Sequence, residues 1–122
     1  MSFFYKAIDH VQLAAPKGSE DLARDFYQNI LGFEEVEKPE LLKKNGGVWF
    51  SSGVCHVHIG IDDPFTPAKK AHPAFEVNDI EAFKKHLALK KVTFVEDDRI
   101  PGVKRFHVFD PFGNRIEIVQ KV

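Results

Sequence analysis

One cysteine, Cys55, stands in a chain of 122 residues, so neither a disulfide framework nor a thiolate cluster for zinc is available, and a reducing compartment, the cytoplasm, is expected. No apolar run approaches the ~18 residues that a membrane span needs. The first residues, MSFFYKAIDHV, lack the basic-then-apolar pattern of a secretory signal, so no targeting segment and no membrane partner are expected. An excess of either charge is missing too. Seventeen Lys plus Arg stand against 18 Asp plus Glu for a net charge of −1, which argues against nucleic acid as the partner. Length leaves no room for two ordinary domains, and one domain over residues 1–122 is expected.

What is present in quantity is apolar side chain and imidazole. Hydrophobic residues make up 43% of the chain, with twelve Phe, enough for a proper core. Six histidines is a high number for this length, and their placement follows from the elements. The run SEDLARDFYQNILG puts Leu22, Ala23, Phe26, Ile30 and Leu31 at helical spacing, with Ser19 as N-cap and Gly32 as stop. A second, shorter helix follows from NDIEAFKKHLALKK, where Asn78 and Glu81 have the form of a capping box. Short alternating strands surround them: IDHVQLAA, FEEVEK, GVWFSS and VCHVHIGI, then AHPAFEV, VTFVEDD, KRFHVFD and NRIEIVQ.

The order is strand, helix, three strands, twice over. Residues 8–61 and 71–119 therefore read as two βαβββ modules joined by DDPFTPAKK, an α+β fold in which the modules, related by a pseudo-twofold, form a curled mixed sheet around a cleft. By residue type, Trp49-Phe50-Ser51 is matched to Val108-Phe109-Asp110 in the repeat.

Strand alternation then sorts the histidines. In each strand the hydrophobic parity takes one face, which leaves His10 and Gln12, His56 and His58, His72 and Glu76, Arg105 and His107, and Arg115 and Glu117 on the other. Five of six histidines share the polar face; His86 alone lies on a helix. A face that only met water would favour Lys, Glu, Thr and Ser, whereas imidazoles with a carboxylate are what a first-row metal takes as ligands. Under the pseudo-twofold, the first strands contribute His10 and His72 and the last contribute His58 and Glu117, at offsets of 62 and 59 residues. These four are the expected metal ligands. Parity also places Trp49 and Phe109 in the cleft as substrate contacts.

Several motifs now carry a resemblance over nearly the whole chain: Asp9-His10-Val11, Phe26-Tyr27 with Leu31-Gly32-Phe33, Ala71-His72-Pro73-Ala74-Phe75, and Phe109-Asp110-Pro111-Phe112-Gly113-Asn114-Arg115-Ile116-Glu117. On them the sequence resembles the vicinal oxygen chelate superfamily, which includes glyoxalase I, extradiol dioxygenases, fosfomycin-resistance thiol transferases and bleomycin-binding proteins. The resemblance implies metal ligands at His10, His72 and Glu117, and a fourth at the position of His58, where glyoxalase I has a carboxylate. It further implies a divalent metal, Zn, Ni, Mn or Fe, holding a small-molecule substrate through adjacent oxygens. The expected function is a glyoxalase-like metalloenzyme of isomerase, lyase or thiol-addition type. A single-domain extradiol dioxygenase and a metal-free drug- or metabolite-binding protein are the alternatives.

Roles for the remaining polar-face residues follow from that chemistry. His56, His107 and Glu117 are the candidates for proton transfer. Arg105 is the candidate for holding an anionic group, with Gln12 a weaker substrate contact. Lys69-Lys70 would flank the cleft mouth, and Leu41-Leu42 would serve as lid or dimer contact. Relatives of this size pair, so a homodimer is expected.

Overall fold

The computed structural model describes residues 2–122. All eight expected strands form: β1 Val11–Ala15, β2 Glu34–Val36, β3 Val48–Ser52, β4 Cys55–Ile61, β5 Ala74–Glu76, β6 Val95–Asp97, β7 Val103–Phe109 and β8 Arg115–Lys121. They hydrogen-bond as two four-stranded mixed sheets, ordered β1-β4-β3-β2 and β5-β8-β7-β6. In each, the first strand runs parallel to the last and the other pairs are antiparallel. A parallel neighbour needs a crossover, and the helical segment of each module supplies it. The architecture is thus α+β with two similar modules.

The first helix begins as α1, Glu20–Ala23, and continues as a wider π-helical stretch, Arg24–Ile30. Its last turn closes through the Leu31 N–H on the Phe26 carbonyl, five residues back, at 2.9 Å. Gly32 ends it at φ +85°, as expected from its lack of a Cβ. Ser19 is the N-cap, as expected, but its hydroxyl donates to the Pro16 carbonyl and makes no capping bond to the helix. The second helix, α2, runs Ile80–Leu89. Its cap is Asp79, not Asn78: the Asp79 Oδ1 accepts the Ala82 N–H at 3.0 Å. The cap is the residue next to the first helical one, and the helix starts one position later than the Asn78 motif implies. A 3₁₀ segment, Glu40–Asn45, occupies what read as a polar connection, and it carries Leu41 exposed on its surface. Gly47 follows at φ +88°, where a Cβ would lie 2.2 Å from the Ile59 carbonyl oxygen, so only glycine lets β3 start this close to β4.

The apolar sides of the two modules share one core. Ala23, Phe26 and Tyr27 from the first helix and Ile80 and Leu87 from α2 are buried with Phe50, Val57, Phe106, Ile116 and Ile118 from the sheets. Four contacts then bolt module to module. The Tyr27 hydroxyl donates to Asp110 Oδ2 at 2.7 Å, the Asn114 side-chain amide donates to the Ala14 carbonyl at 2.7 Å, His86 Nε2 donates to the Ile30 carbonyl at 2.7 Å, and the rings of Phe33 and Phe75 meet edge to face at 5.6 Å. His86, the helical histidine, is thereby a structural residue. No helix among the described residues is long and apolar enough to cross a membrane.

The register relates the modules residue by residue. Gln12 pairs with His58 and Ala74 with Glu117, each two positions after His10 and His72, so His58 and Glu117 are structural counterparts. Trp49 pairs with His58 and His107 pairs with Glu117, which makes His107 the counterpart of Trp49. Matching by residue type had set Trp49 against Val108, one position too far, because aromatic identity is a weaker guide than the ladder.

Burial, and next the charge of Asp110, push the Tyr27 hydroxyl well above the usual tyrosine range. The folded chain therefore keeps this proton more firmly than the unfolded chain, and the stabilisation is present below the ordinary tyrosine value and lost as pH rises past it. Tyr27→Phe is expected to cost about 2 kcal/mol by urea denaturation at neutral pH, with the deficit narrowing above about pH 10. An unchanged midpoint would mean that the bond to Asp110 holds nothing together.

Candidate functional site

On module one, the pleat carries Gln12, His56, His58, Gly60 and Trp49 to the polar side. His58, on the central strand β4, is 9% exposed and sits between two rings. His10 stacks from the β1 side at 4.2 Å between centroids, and Trp49 from the β3 side at 3.8 Å with the planes within 1° of parallel. Burial first, then the neighbouring His10 and His56, lower the pKa of His58 below the ordinary histidine value, so the ring is neutral at pH 7. His10 Nδ1 lies 2.8 Å from Asp9 Oδ2. A carboxylate accepts, so Nδ1 carries the hydrogen and the Nε2 lone pair is left free.

Module two gathers a denser cluster. A ring nitrogen of His72, a ring nitrogen of His107 and a Glu117 carboxylate oxygen all lie within 4.8 Å of one another, and no other three ligand side chains do so among the described residues. His72 Nε2 is 3.0 Å and His107 Nε2 3.4 Å from the same atom, Glu117 Oε1. The partner of His72 on its other side settles which groups face each other. Its Nδ1 is 2.9 Å from the Lys70 carbonyl, which can only accept, so a neutral ring keeps its hydrogen there and turns the Nε2 lone pair toward a carboxylate oxygen. Two acceptors at that distance repel unless a proton or a metal cation lies between them. A ring N–H on a backbone carbonyl with the other nitrogen aimed at a carboxylate is the usual posture of a metal-bound histidine. The donor set therefore fits a divalent metal, and in module one His10 likewise has its Nδ1 held by an acceptor, the Asp9 carboxylate.

Glu117 is itself held from behind. Arg105 Nη1 donates to Glu117 Oε1 at 3.1 Å and Arg105 Nη2 to Asp97 Oδ2 at 2.8 Å. Asp97 also accepts from Arg99, first through the Arg99 side chain and then through its backbone N–H, and these bonds hold its carboxyl far below the usual range. The pairing of β6 with β7 puts Asp97 opposite Arg105 and Val95 opposite His107, so Asp97, Arg105, His107 and Glu117 share one face.

The expected residues thus divide into two groups. His72, Glu117, His107 and Arg105 come together on module two, whereas His10, His58 and Trp49 come together on module one, and the four expected ligands do not converge within one chain. Arg105, the candidate for holding an anionic group, is committed to two carboxylates. His56 is exposed on the His58 face, and Gln12 lies over Gly60, where a Cβ would be 2.5 Å from the Gln12 side-chain nitrogen. Phe109 lines an open cleft of about 390 Å³ together with His107. Glu76 reaches only Lys121, at 3.8 Å. A groove of about 720 Å³, lined by residues of β1, β5 and the linker, has His72 among its walls. Asp97 and Asp9 were passed over in reading the sequence; the Asp-His dipeptide at 9 and 10 was a signal for the second, while Asp97 is found only through the β6 to β7 register.

With this geometry in view, comparison with known proteins is informative. The family model for the Glyoxalase/Bleomycin resistance protein/Dioxygenase superfamily matches residues 7–118. Comparison with curated protein sequences returns no match. Among solved structures, a glyoxalase family protein from Bacillus anthracis is 49% identical with a TM-score of 0.97, covering 100% of each chain. A glyoxalase family protein from Enterococcus faecalis is 28% identical with a TM-score of 0.77 over 96% of this chain and 99% of that one. Lactoylglutathione lyase from Agrobacterium tumefaciens, at 21% identity and a TM-score of 0.75 over 95% and 94%, shares the fold. The chain belongs to the Glyoxalase/Bleomycin resistance protein/Dioxygenase superfamily.

Proposed function

We propose that this protein is a glyoxalase-type metalloenzyme acting on an oxygenated small molecule by isomerase, lyase or thiol-addition chemistry. The observation that carries the reading is the His72 and Glu117 pair, an imidazole nitrogen and a carboxylate oxygen 3.0 Å apart with a backbone carbonyl on the other ring nitrogen. A divalent first-row metal there supplies Lewis-acid stabilisation of negative charge developing on a substrate oxygen. His72 and Glu117 anchor it, and His10 and His58 complete the set from a second copy of the chain, since the two halves of the quartet do not converge within one copy. The exposed apolar residues Phe4 and Tyr5, 80% and 91% accessible, are the kind of surface that a homodimer covers. His107, 3.4 Å from Glu117 Oε1, and His56 are the groups placed to hold or move a proton beside the site. Trp49, Gln12 and Phe109 contact the substrate.

A second reading is favoured by the cluster as it stands in one chain. His72, His107 and Glu117 are two histidines and a carboxylate, the donor set of non-haem Fe(II) oxygenases, so a single-domain dioxygenase loaded within each chain is the competing function.

Metal content of untagged protein after dialysis separates the readings. His72→Ala and Glu117→Gln are each expected to weaken metal binding at least ~10-fold. With a quartet shared between copies, His58→Ala weakens it comparably while His107→Ala does not; with the in-chain trio the two variants exchange behaviour. Purified protein that takes up no first-row metal would leave a binding protein in place of either enzyme. Light scattering at micromolar concentration is expected to return a dimer mass, and a monomer that still binds metal tightly would rule out the shared site.

A further inference from the structure

Three of the four arginines are committed to carboxylates: Arg24 to Asp21 and Glu35, Arg99 to Asp97, and Arg105 to Asp97 and Glu117. Arg115 is the exception, with no carboxylate within ion-pair distance among the described residues. It stands at the start of β8, two residues before Glu117, and therefore on the same face of the sheet, about 6.7 Å along the strand. Across the ladder its partner is Phe109, 49% exposed, and both line the cleft of about 390 Å³ that also contains His107. One wall of the cleft is acidic, but Asp97 is bound to two arginines and Glu96 to Lys84, which leaves Asp98, beyond the end of β6, as its one acid without a partner.

We infer that Arg115 reads a carboxylate on the substrate. The substrate class is then a small planar or apolar-bodied molecule with adjacent oxygens at one end, directed to His72 and Glu117, and a carboxylate at the other, directed to Arg115, its body lying against Phe109. The guanidinium offers a bidentate fork to a carboxylate and keeps its charge at any working pH. A half-buried arginine in a cleft with no internal partner is a cation whose counter-charge comes from outside the chain. Arg105 lacks this freedom, because Asp97 and Glu117 already neutralise it. This inference rests on the metal reading of the site and adds to it the far end of the substrate.

The test uses zinc-loaded protein, zinc being redox-inert, and three probes of one shape in isothermal titration: catechol, 3,4-dihydroxybenzoate and 3,4-dihydroxybenzylamine. The wild-type protein is expected to bind the benzoate about 10- to 100-fold more tightly than catechol. Arg115→Met should remove that preference by weakening the benzoate alone, with catechol unchanged as the internal sign of an intact site, and Arg115→Lys should retain part of it. Equal wild-type affinity for catechol and the benzoate overturns the assignment of Arg115, as does equal weakening of both in Arg115→Met, and either result leaves the metal reading standing. Tightest binding of the benzylamine, lost in Asp98→Asn, overturns it in favour of a cationic substrate. Absence of zinc-dependent binding of any probe overturns the metal reading and this inference with it.

Discussion

Everything in this molecule depends on one shared core. A module of about 50 residues carries a four-stranded sheet and one helix, too little to cover two sheet faces. Each spends its helix-covered face on the other module, through Tyr27 and Asp110, Asn114 and Ala14, and His86 and Ile30. The opposite faces take no part in that core. Those are the faces onto which the pleat sends the imidazoles and Glu117, so chemistry is confined to the surface that folding leaves unused.

The charge on that surface is tightly organised on one module and looser on the other. Glu117 takes three nitrogen neighbours on a single oxygen, and the charge alternates in sign from Glu117 on β8 through Arg105 on β7 and Asp97 at the end of β6 to Arg99 just beyond it. Of these, Glu117, Arg105 and Asp97 are largely buried, and buried ions of alternating sign are tolerable together and costly apart, which ties the orientation of Glu117 to a residue two strands away. Module one solves the same position differently. There the counterpart of Glu117 is His58, kept neutral by burial and clamped by aromatic stacking instead of by ion pairs. The two modules thus share one backbone geometry, with an ion-paired carboxylate at the position in one and a stacked, neutral imidazole at the equivalent position in the other.

Much of this was legible in the residues. Alternation in VCHVHIGI and NRIEIVQ assigns His58 and Glu117 to the polar face, and all eight strands lie where alternation and turn residues place them, because the period of two is a local property of extended backbone. The spacing of His10 and His72 from the last strands anticipates their equivalence for the same reason. Less was legible where a side chain chooses among partners. Arg105 in sequence is a cation on a strand, and nothing local says that Asp97, eight residues away, and Glu117, twelve away, will both claim it. The cap at Asp79 and the π-helical widening before Gly32 are settled by hydrogen-bond competition within a turn, which residue type constrains only weakly.

Local periodicity and contiguous motifs were enough for the two-module α+β plan, for the face on which the histidines, Arg105, Arg115 and Glu117 lie, and for the family. Which of those residues meet is a matter of packing. Packing set His72 and His107 on Glu117 and set His10 on His58, kept the two groups from converging within one chain, consumed the charge of Arg105, and left that of Arg115 without a carboxylate partner among the described residues. The reason is that convergence depends on how two sheets are oriented about their common core, a long-range packing result that no run of neighbouring residues encodes.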